Sequence, residues 1–326
     1  MTRISAASVL LIVVAVVRGI AGGGQNPQQS PPIFRAQASA VSVDVAVRDK
    51  FRKPIADLTA SDFVLEDNGV RQSIDQLSYA KRPIDVTVGL DVSGTVTGVV
   101  LDRLRQAVTE LAKGLRDVDR VKLLLFNSQV HRSIDFSSDA QAVIRAMKDV
   151  PTGGATAIFD TLSAALVAAH DLERRQLIMI FTDGLDSGSV TTPDVMNAIA
   201  SRSRATVTFV TASPVQPFAP MIIGGGSGTG ASVTMVRTAF PRPSALFLAS
   251  NNPLPTVARD TGGEVVTADA TTNLGSVFRK ILDDFRSSYV LFYSPTGVDR
   301  TGFHTITVNV TRPDMVVTAR RGYFGG

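Results

Sequence analysis

Valines at 41, 43, 45 and 47 alternate with Ser42, Asp44, Ala46 and Arg48. That two-residue period is the signature of a strand with one face in a core. Phe63-Val64-Leu65-Glu66 predicts a second strand. Asp67-Asn68-Gly69 then predicts a hairpin into the mixed run ending at Tyr79, because Asn and Gly both tolerate the positive φ of a two-residue turn. The far end has the same character. Tyr289 to Tyr293 reads as a strand, Ile306, Val308 and Val310 alternate with Thr305, Thr307 and Asn309, and Val316 to Ala319 precedes a terminal Arg321-Gly322-Tyr323-Phe324. Neither end has strands enough for a stable sheet of its own. Residues 39–82 and 287–326 are therefore expected to pair into one small β-sandwich, with the middle of the chain inserted between them.

The middle, 83–286, alternates strands with helices. Strands are expected at 85–90, 121–126, 176–181, 206–211 and 264–267, with 129–136 returning beside the second of them. Helices are expected at 101–115, 138–148, 156–172, 195–203, 255–261 and 274–285, the fifth stopped by Gly262-Gly263. Continuous apolar strands separated by helices mean a mainly parallel sheet covered on both faces. The expected fold class is α/β, a doubly wound sheet inserted into the sandwich. Residues 213–255 interrupt the pattern with scattered prolines and the run Gly224-Gly225-Gly226-Ser227-Gly228-Thr229-Gly230. A connection this long is either functional or disordered, and mobility is the expectation.

The first residues change the picture of where the protein works. Arg3, the apolar stretch Ile4 to Val17 and the small residues of Gly19-Ile20-Ala21 read as an export signal over 1–21, cleaved near Ala21. About fourteen apolar residues fall short of the ~20 of a membrane-spanning helix. No stable membrane span is expected after cleavage, and an uncleaved anchor is the rival reading. Residues 22–38, rich in Gly, Gln and Pro, are expected to be a flexible leader. The expected location is periplasmic, extracellular or in the cell envelope. The chain has no cysteine, which excludes disulfides and a lipid anchor on cysteine and leaves cohesion to core packing. A net charge of +4, spread without any cationic run longer than two, argues against a nucleic-acid partner.

Three short segments carry the candidate chemistry, each at a strand end or a helix start: Asp91-Val92-Ser93-Gly94-Thr95, Gly153-Gly154-Ala155-Thr156 and Thr182-Asp183-Gly184. Open α/β sheets bind ligands at the carboxyl ends of their strands, where strand order reverses. If the strands before Asp91 and Asp183 are neighbours there, Asp91, Ser93, Thr95, Thr156 and Asp183 converge. Two carboxylates and three hydroxyls, without sulfur or imidazole, suit a hard divalent cation, Mg²⁺ first and Mn²⁺ or Ca²⁺ as alternatives. Taken singly, each segment also reads as a helix cap or a turn. Asp160, four residues after Thr156, is placed on the same helix face, as an orienting partner or in a surface salt bridge.

Asp91-x-Ser93-x-Thr95, Thr156 after Gly-Gly, and Asp183 in Thr-Asp-Gly resemble the metal-ion-dependent adhesion site of von Willebrand factor A domains. The strand–helix order over about 200 residues is similar as well. Ala56-Asp57-Leu58-Thr59-Ala60-Ser61-Asp62-Phe63 and the closing Arg320-Arg321-Gly322-Tyr323 resemble VWFA-related proteins known mostly from acidobacteria. The resemblance implies a metal whose free position accepts an Asp or Glu carboxylate from a protein partner, and no enzymatic activity. One position departs from the pattern: the family usually has serine where this chain has Thr95, which keeps the hydroxyl and adds a methyl.

Other signals are weaker. Gly226 to Ala231 satisfies a dinucleotide fingerprint but lacks the strand before it and the acidic residue beyond it. His131, His170 and His304 fall in separate elements and read as surface or capping residues. Three readings stay open: a metal-dependent binding or adhesion protein, a metal-independent scaffold of the cell envelope, and, least favoured, a metal-assisted hydrolase.

Overall fold

The computed structural model describes residues 40–94, 96, 98–182, 185–212, 252–269 and 271–325. The expected export signal, the leader 22–38 and positions 213–251 of the long connection lie outside the described residues.

Strand β1 (Val41–Arg48) buries Val43, Val45 and Val47 and leaves the residues between them half-exposed. The chain then forms β2 (Phe63–Asp67) and β3 (Val70–Gln72), which pair antiparallel with Asp67 opposite Val70. Asn68 and Gly69 make the turn between them at φ of 47° and 77°, the left-handed pair that a two-residue hairpin requires. Strand β4 (Gln76–Tyr79) leaves the hairpin for the other sheet.

The six-stranded sheet comprises β5 (Ile84–Asp91), β6 (Arg120–Phe126), β7 (Val130–Ser137), β8 (Arg175–Thr182), β9 (Thr206–Ala212) and β10 (Val265–Ala268). Its order is β10-β9-β8-β5-β6-β7, parallel except for the edge strand β7. Helices α1 (Val99–Gly114), α2 (Ala140–Ala146), α3 (Ile158–Ala168), α4 (Pro193–Arg202), α5 (Leu254–Asp260) and α6 (Leu274–Arg286) cover its two faces. Val86, Val88 and Leu90 pack with Leu104, Leu111, Phe278 and Leu282 in one layer. Ile178 and Ile180 pack with Ile158, Leu162, Met196 and Val257 in the other. Every residue of β5 and β8 is buried; β8 accordingly carries the unbroken apolar run Leu177 to Phe181, whereas in β5 Val86, Val88 and Leu90 alternate with Thr87 and Gly89.

The chain ends with β11 (Tyr289–Tyr293), β12 (Gly302–Val310), β13 (Val316–Ala319) and β14 (Gly322–Gly325). These complete two four-stranded sheets, β13-β1-β11-β4 and β14-β12-β2-β3. Both sheets mix strands from before and after the parallel sheet and share one core of Val43, Val45, Leu65, Tyr289, Leu291, Tyr293 and Ile306.

Two expectations need correction. The helix expected over 156–172 runs only from Ile158 to Ala168. The Thr156 carbonyl accepts from Ser187 N–H at 2.8 Å and Gly188 N–H at 3.1 Å, so it does not enter a helical ladder. His304, expected at the surface, is fully buried. On β12 it shares the inward parity of Ile306 and Val308. Its Nδ1 lies 2.7 Å from Asp67 Oδ1, and its ring stacks on Tyr323 with centroids 4.6 Å apart. The Tyr293 and Tyr323 hydroxyls donate to Asp67 Oδ2 at 2.8 and 3.0 Å. Burial pushes both phenols upward, Tyr323 to about 12, so each stays protonated and able to donate.

A second buried carboxylate begins β5. Asp85 accepts Arg120 Nε at 2.8 Å and a second Arg120 nitrogen at 2.6 Å, Arg174 Nε at 2.5 Å and the Gln176 amide at 3.2 Å. Burial pushes its carboxyl up, but these donors outweigh that and hold it below the ordinary 3.8.

Replacing Asp85 with Asn should leave two guanidiniums facing a neutral amide. Breaking such a pair costs about 3 kcal/mol, the lower end for buried pairs because Arg120 is partly solvated, read as a lowered urea midpoint at pH 7. The charge contribution of Asp85 is complete above the ordinary 3.8 and is lost as pH falls below it toward the depressed folded-state value. The variant should therefore lack that part of the acid slope. In the sandwich, Tyr293→Phe removes one donor to the Asp67 carboxylate and should cost about 1.5–3 kcal/mol in the same denaturation assay.

Candidate metal centre

Strand β5 pairs in parallel with β6 on one side and β8 on the other. The chain leaves β5 toward β6 and returns on the opposite side as β8, so strand order reverses at the carboxyl end of β5. Such a reversal opens a crevice, and Asp91 is the last residue of β5.

Asp91 is wholly buried. Its Oδ1 accepts the Ser93 N–H at 2.9 Å, and its Oδ2 accepts the Thr182 hydroxyl at 2.7 Å. The first bond closes a tight turn after the strand. The second ties the end of β5 to the end of β8. Together they hold the carboxylate in one orientation.

The segment before Thr156 is laid against this turn. Gly153 N–H donates to the Val92 carbonyl at 3.0 Å, and Gly94 N–H donates to the Gly154 carbonyl at 3.4 Å. Gly154 has a φ of +83°, and a Cβ on it would lie 2.7 Å from Ser128 Oγ, so glycine is needed both for the backbone and for the close approach. The residues after β6 brace the same segment. Asn127 Nδ2 donates to the Gly153 carbonyl at 2.5 Å, and Ala155 N–H donates to Ser128 Oγ at 3.0 Å. His131 Nε2 meets Asn127 Oδ1.

Residues beyond β8 complete the wall. Thr156 N–H donates to Ser187 Oγ at 3.1 Å, in addition to the two bonds its carbonyl accepts. Asp186 Oδ1 accepts the Phe159 N–H at 3.1 Å and the Ser189 hydroxyl at 2.6 Å. Asp160 accepts the N–H of Val190 at 2.9 Å and of Thr191 at 2.7 Å. Burial pushes the Asp160 carboxyl up, but bonds from Thr191 and from the Val190 and Thr191 backbone outweigh this and hold it below the ordinary range. Asp160 thus anchors the loop after β8. It makes no salt bridge among the described residues, and Thr156 lies outside the helix whose face the two were expected to share.

Of the five residues singled out in the sequence, Asp91, Ser93 and Thr156 are described, and the segments carrying them are hydrogen-bonded into one crevice. Thr95 and Asp183 lie outside the described residues. Sequence reasoning missed Thr182, Asn127 and Ser128. Thr182 and Asn127 carried a signal, since each falls at the carboxyl end of a strand where this fold gathers its polar groups.

The described donors are carboxylate and hydroxyl oxygens, and both Ser93 and Thr156 are nearly buried. That chemistry fits a hard cation. Among the described residues no three His, Asp or Glu side chains gather around one point, so a cation here would have to draw on hydroxyls.

Residues 86–185 match the family model of the von Willebrand factor type A domain. Among solved structures, a von Willebrand factor type A protein from Catenulispora acidiphila is similar at 10% identity, over 89% of this chain and 75% of that one, with a TM-score of 0.46. BatB from Bacteroides thetaiotaomicron is similar at 15% identity, over 62% of this chain and 98% of its own, with a TM-score of 0.45. The pilus adhesin SpaC from Lactobacillus rhamnosus GG is similar at 9% identity, over 86% of this chain and 43% of its own, with a TM-score of 0.46. The match over 86–185 runs from β5 to just past β8 and so includes the strand reversal at β5.

Proposed function

We propose that the chain is an exported, non-enzymatic binding protein. It holds one divalent cation, Mg²⁺ in the first instance, on Asp91, Ser93, Thr95, Thr156 and Asp183, and engages a carboxylate on a protein partner there. The observation that carries this reading is the fixed, buried Asp91 carboxylate at the strand reversal, hydrogen-bonded by Ser93 N–H and the Thr182 hydroxyl. When bound, the cation would supply the positive charge and the open coordination position that a partner carboxylate needs. The chain's own part is orientation. Ser93 N–H and Thr182 aim the Asp91 oxygens, and the bonds from Asn127, Ser128 and Ser187 keep the Thr156 segment against them. Export rests on the apolar stretch from Ile4 to Val17.

A second reading, a metal-independent scaffold, has one observation in its favour. Among the described residues, hydrogen bonds join the Asp91 and Thr156 segments to each other and tie the Thr156 segment and the start of α3 to residues after β8.

Calorimetric titration with Mn²⁺ should give a single site in the wild type. Ser93→Ala keeps the backbone bond to Asp91 and removes one oxygen donor, so it should weaken binding with little change in melting temperature. Thr182→Val should weaken it about 10–100-fold by releasing the Asp91 carboxylate. Equal affinity in wild type, Ser93→Ala and Asp91→Asn would sink the metal site. Mg²⁺ at a hundred times its Kd should raise wild-type stability by about 2.7 kcal/mol. For the partner, crosslinked capture from envelope extract should succeed in Mg²⁺ and fail in EDTA; equal capture in both would favour the scaffold reading.

A further inference from the structure

The opposite end of the parallel sheet carries a cleft of ≈ 440 Å³. It opens where β8 begins, roughly 23 Å from Thr182 at ~3.3 Å per strand residue. The turn after α3, the end of α4 with Ser203 and Arg204 after it, and the sandwich strands β1 and β11 wall it.

Five arginines line this cleft; two are matched by carboxylates, and Arg202 donates to the Ala198 carbonyl at 2.9 Å and lies over the Phe324 ring. Arg175 is held by Asp44 at 2.6 Å, and Arg174 by Asp85. Asp171, the other carboxylate in the wall, is held by Arg120 at 3.0 Å. Arg82 and Arg204 differ. Arg82 donates to the Leu172 carbonyl at 3.0 Å and comes no closer than 3.9 Å to Glu173, whose side chain is 91% exposed. Arg204 has neither an ion pair nor a hydrogen bond among the described residues, although it lines the cleft. Partial withdrawal from water, and then the like charge of Arg82, hold its guanidinium below the ordinary arginine range. Two guanidiniums in the wall of one cleft, with Asp44 and Asp171 already taken, favour an anion between them. The chain has none to offer from its long outlying stretches, since neither 1–39 nor 213–251 contains an Asp or Glu.

The rim is also apolar. Val167 and Leu172 expose 66% and 61% of their surface beside the arginines. A free inorganic anion has no use for such a rim, whereas a peptide with an apolar residue next to an acidic one would cover it. The volume is that of a site taking a few side chains.

We propose that this cleft is a second docking site, distinct from the metal centre, for an acidic peptide segment of a protein partner, with a carboxylate set between Arg82 and Arg204 and a neighbouring apolar side chain over Val167 and Leu172. The site needs no metal. Its position leaves the carboxyl-end crevice free, so one molecule can engage two acidic groups at opposite ends of its sheet.

The test uses the full chain and a fluorescein-labelled peptide of alternating glutamate and leucine, followed by anisotropy in EDTA. The wild type should bind it, and binding should weaken as salt rises. Arg204→Glu should weaken it at least tenfold. Arg204→Lys, which keeps the charge and loses the planar fork, should fall between. Arg204 has no hydrogen-bond or ion-pair partner among the described residues, so melting temperature should be unchanged in both variants. The proposal is overturned if the peptide does not bind in EDTA, if Arg204→Glu binds it equally, or if the alternating lysine–leucine peptide binds as well. Displacement by inorganic phosphate at concentrations near that of the peptide would also overturn it, by reassigning the cleft to small anions. Binding seen only in Mg²⁺ would place the peptide at the metal centre, failing this proposal while leaving the first reading intact.

Discussion

A strand buried on both faces cannot carry a carboxylate unless other groups come to meet it, and β5 carries one at each end. At its start, Asp85 draws in Arg120 from β6, Arg174 from the turn before β8 and Gln176 from β8 itself. At its finish, Asp91 draws in the turn through Ser93 and the end of β8 through Thr182. The neighbours of β5 are therefore locked to it at both ends by polar contacts and along its length by apolar packing. The two ends differ in the donors that meet them. Guanidiniums neutralise Asp85, whereas a backbone N–H and a hydroxyl are among the groups that meet Asp91.

The antiparallel sheets depend on the same frame from outside. Their strands come from both ends of the chain, so closure of the long loop between β4 and β11 must be offset by tertiary contacts. Some of these tie the sandwich to the parallel sheet: Arg175 at the start of β8 reaches Asp44 on β1 and Ser288 before β11, and Arg320 donates to the Ser203 carbonyl at 2.9 Å. Within the sandwich, Asp67 gathers His304, Tyr293 and Tyr323 in the core. Such a cluster is tolerable because hydrogen bonds reach both oxygens of the Asp67 carboxylate.

The crevice at the carboxyl end of β5 is built by loops, yet its segments are not free ends. Residues after β6 brace the Thr156 segment, and residues after β8 brace both it and the start of α3. A ligand site made this way has its ordering entropy largely met by folding, so less is lost on binding.

Much of this was legible in the chain. The alternation from Val41 to Val47, the continuous apolar run of β8 and the Asn68-Gly69 turn are local consequences of periodicity and of backbone sterics. They determined the elements, the α/β class and the pairing of the two ends. Asp91, Ser93 and Thr156 were also legible, because the fold class puts polar groups at strand ends. What the sequence could not decide depended on groups far apart in the chain. The α3 helix starts late because the Thr156 carbonyl is taken by Ser187 and Gly188, some thirty residues on. His304 is buried because β12 keeps its parity through Ile306 and because Asp67, on another strand, supplies a partner. Arg204 looks like any surface arginine until the tertiary structure shows that Asp44 and Asp171 are already engaged elsewhere. Periodicity acts between neighbours and so is written locally. Hydrogen bonding and charge pairing act through space, and only the folded chain decides which groups meet.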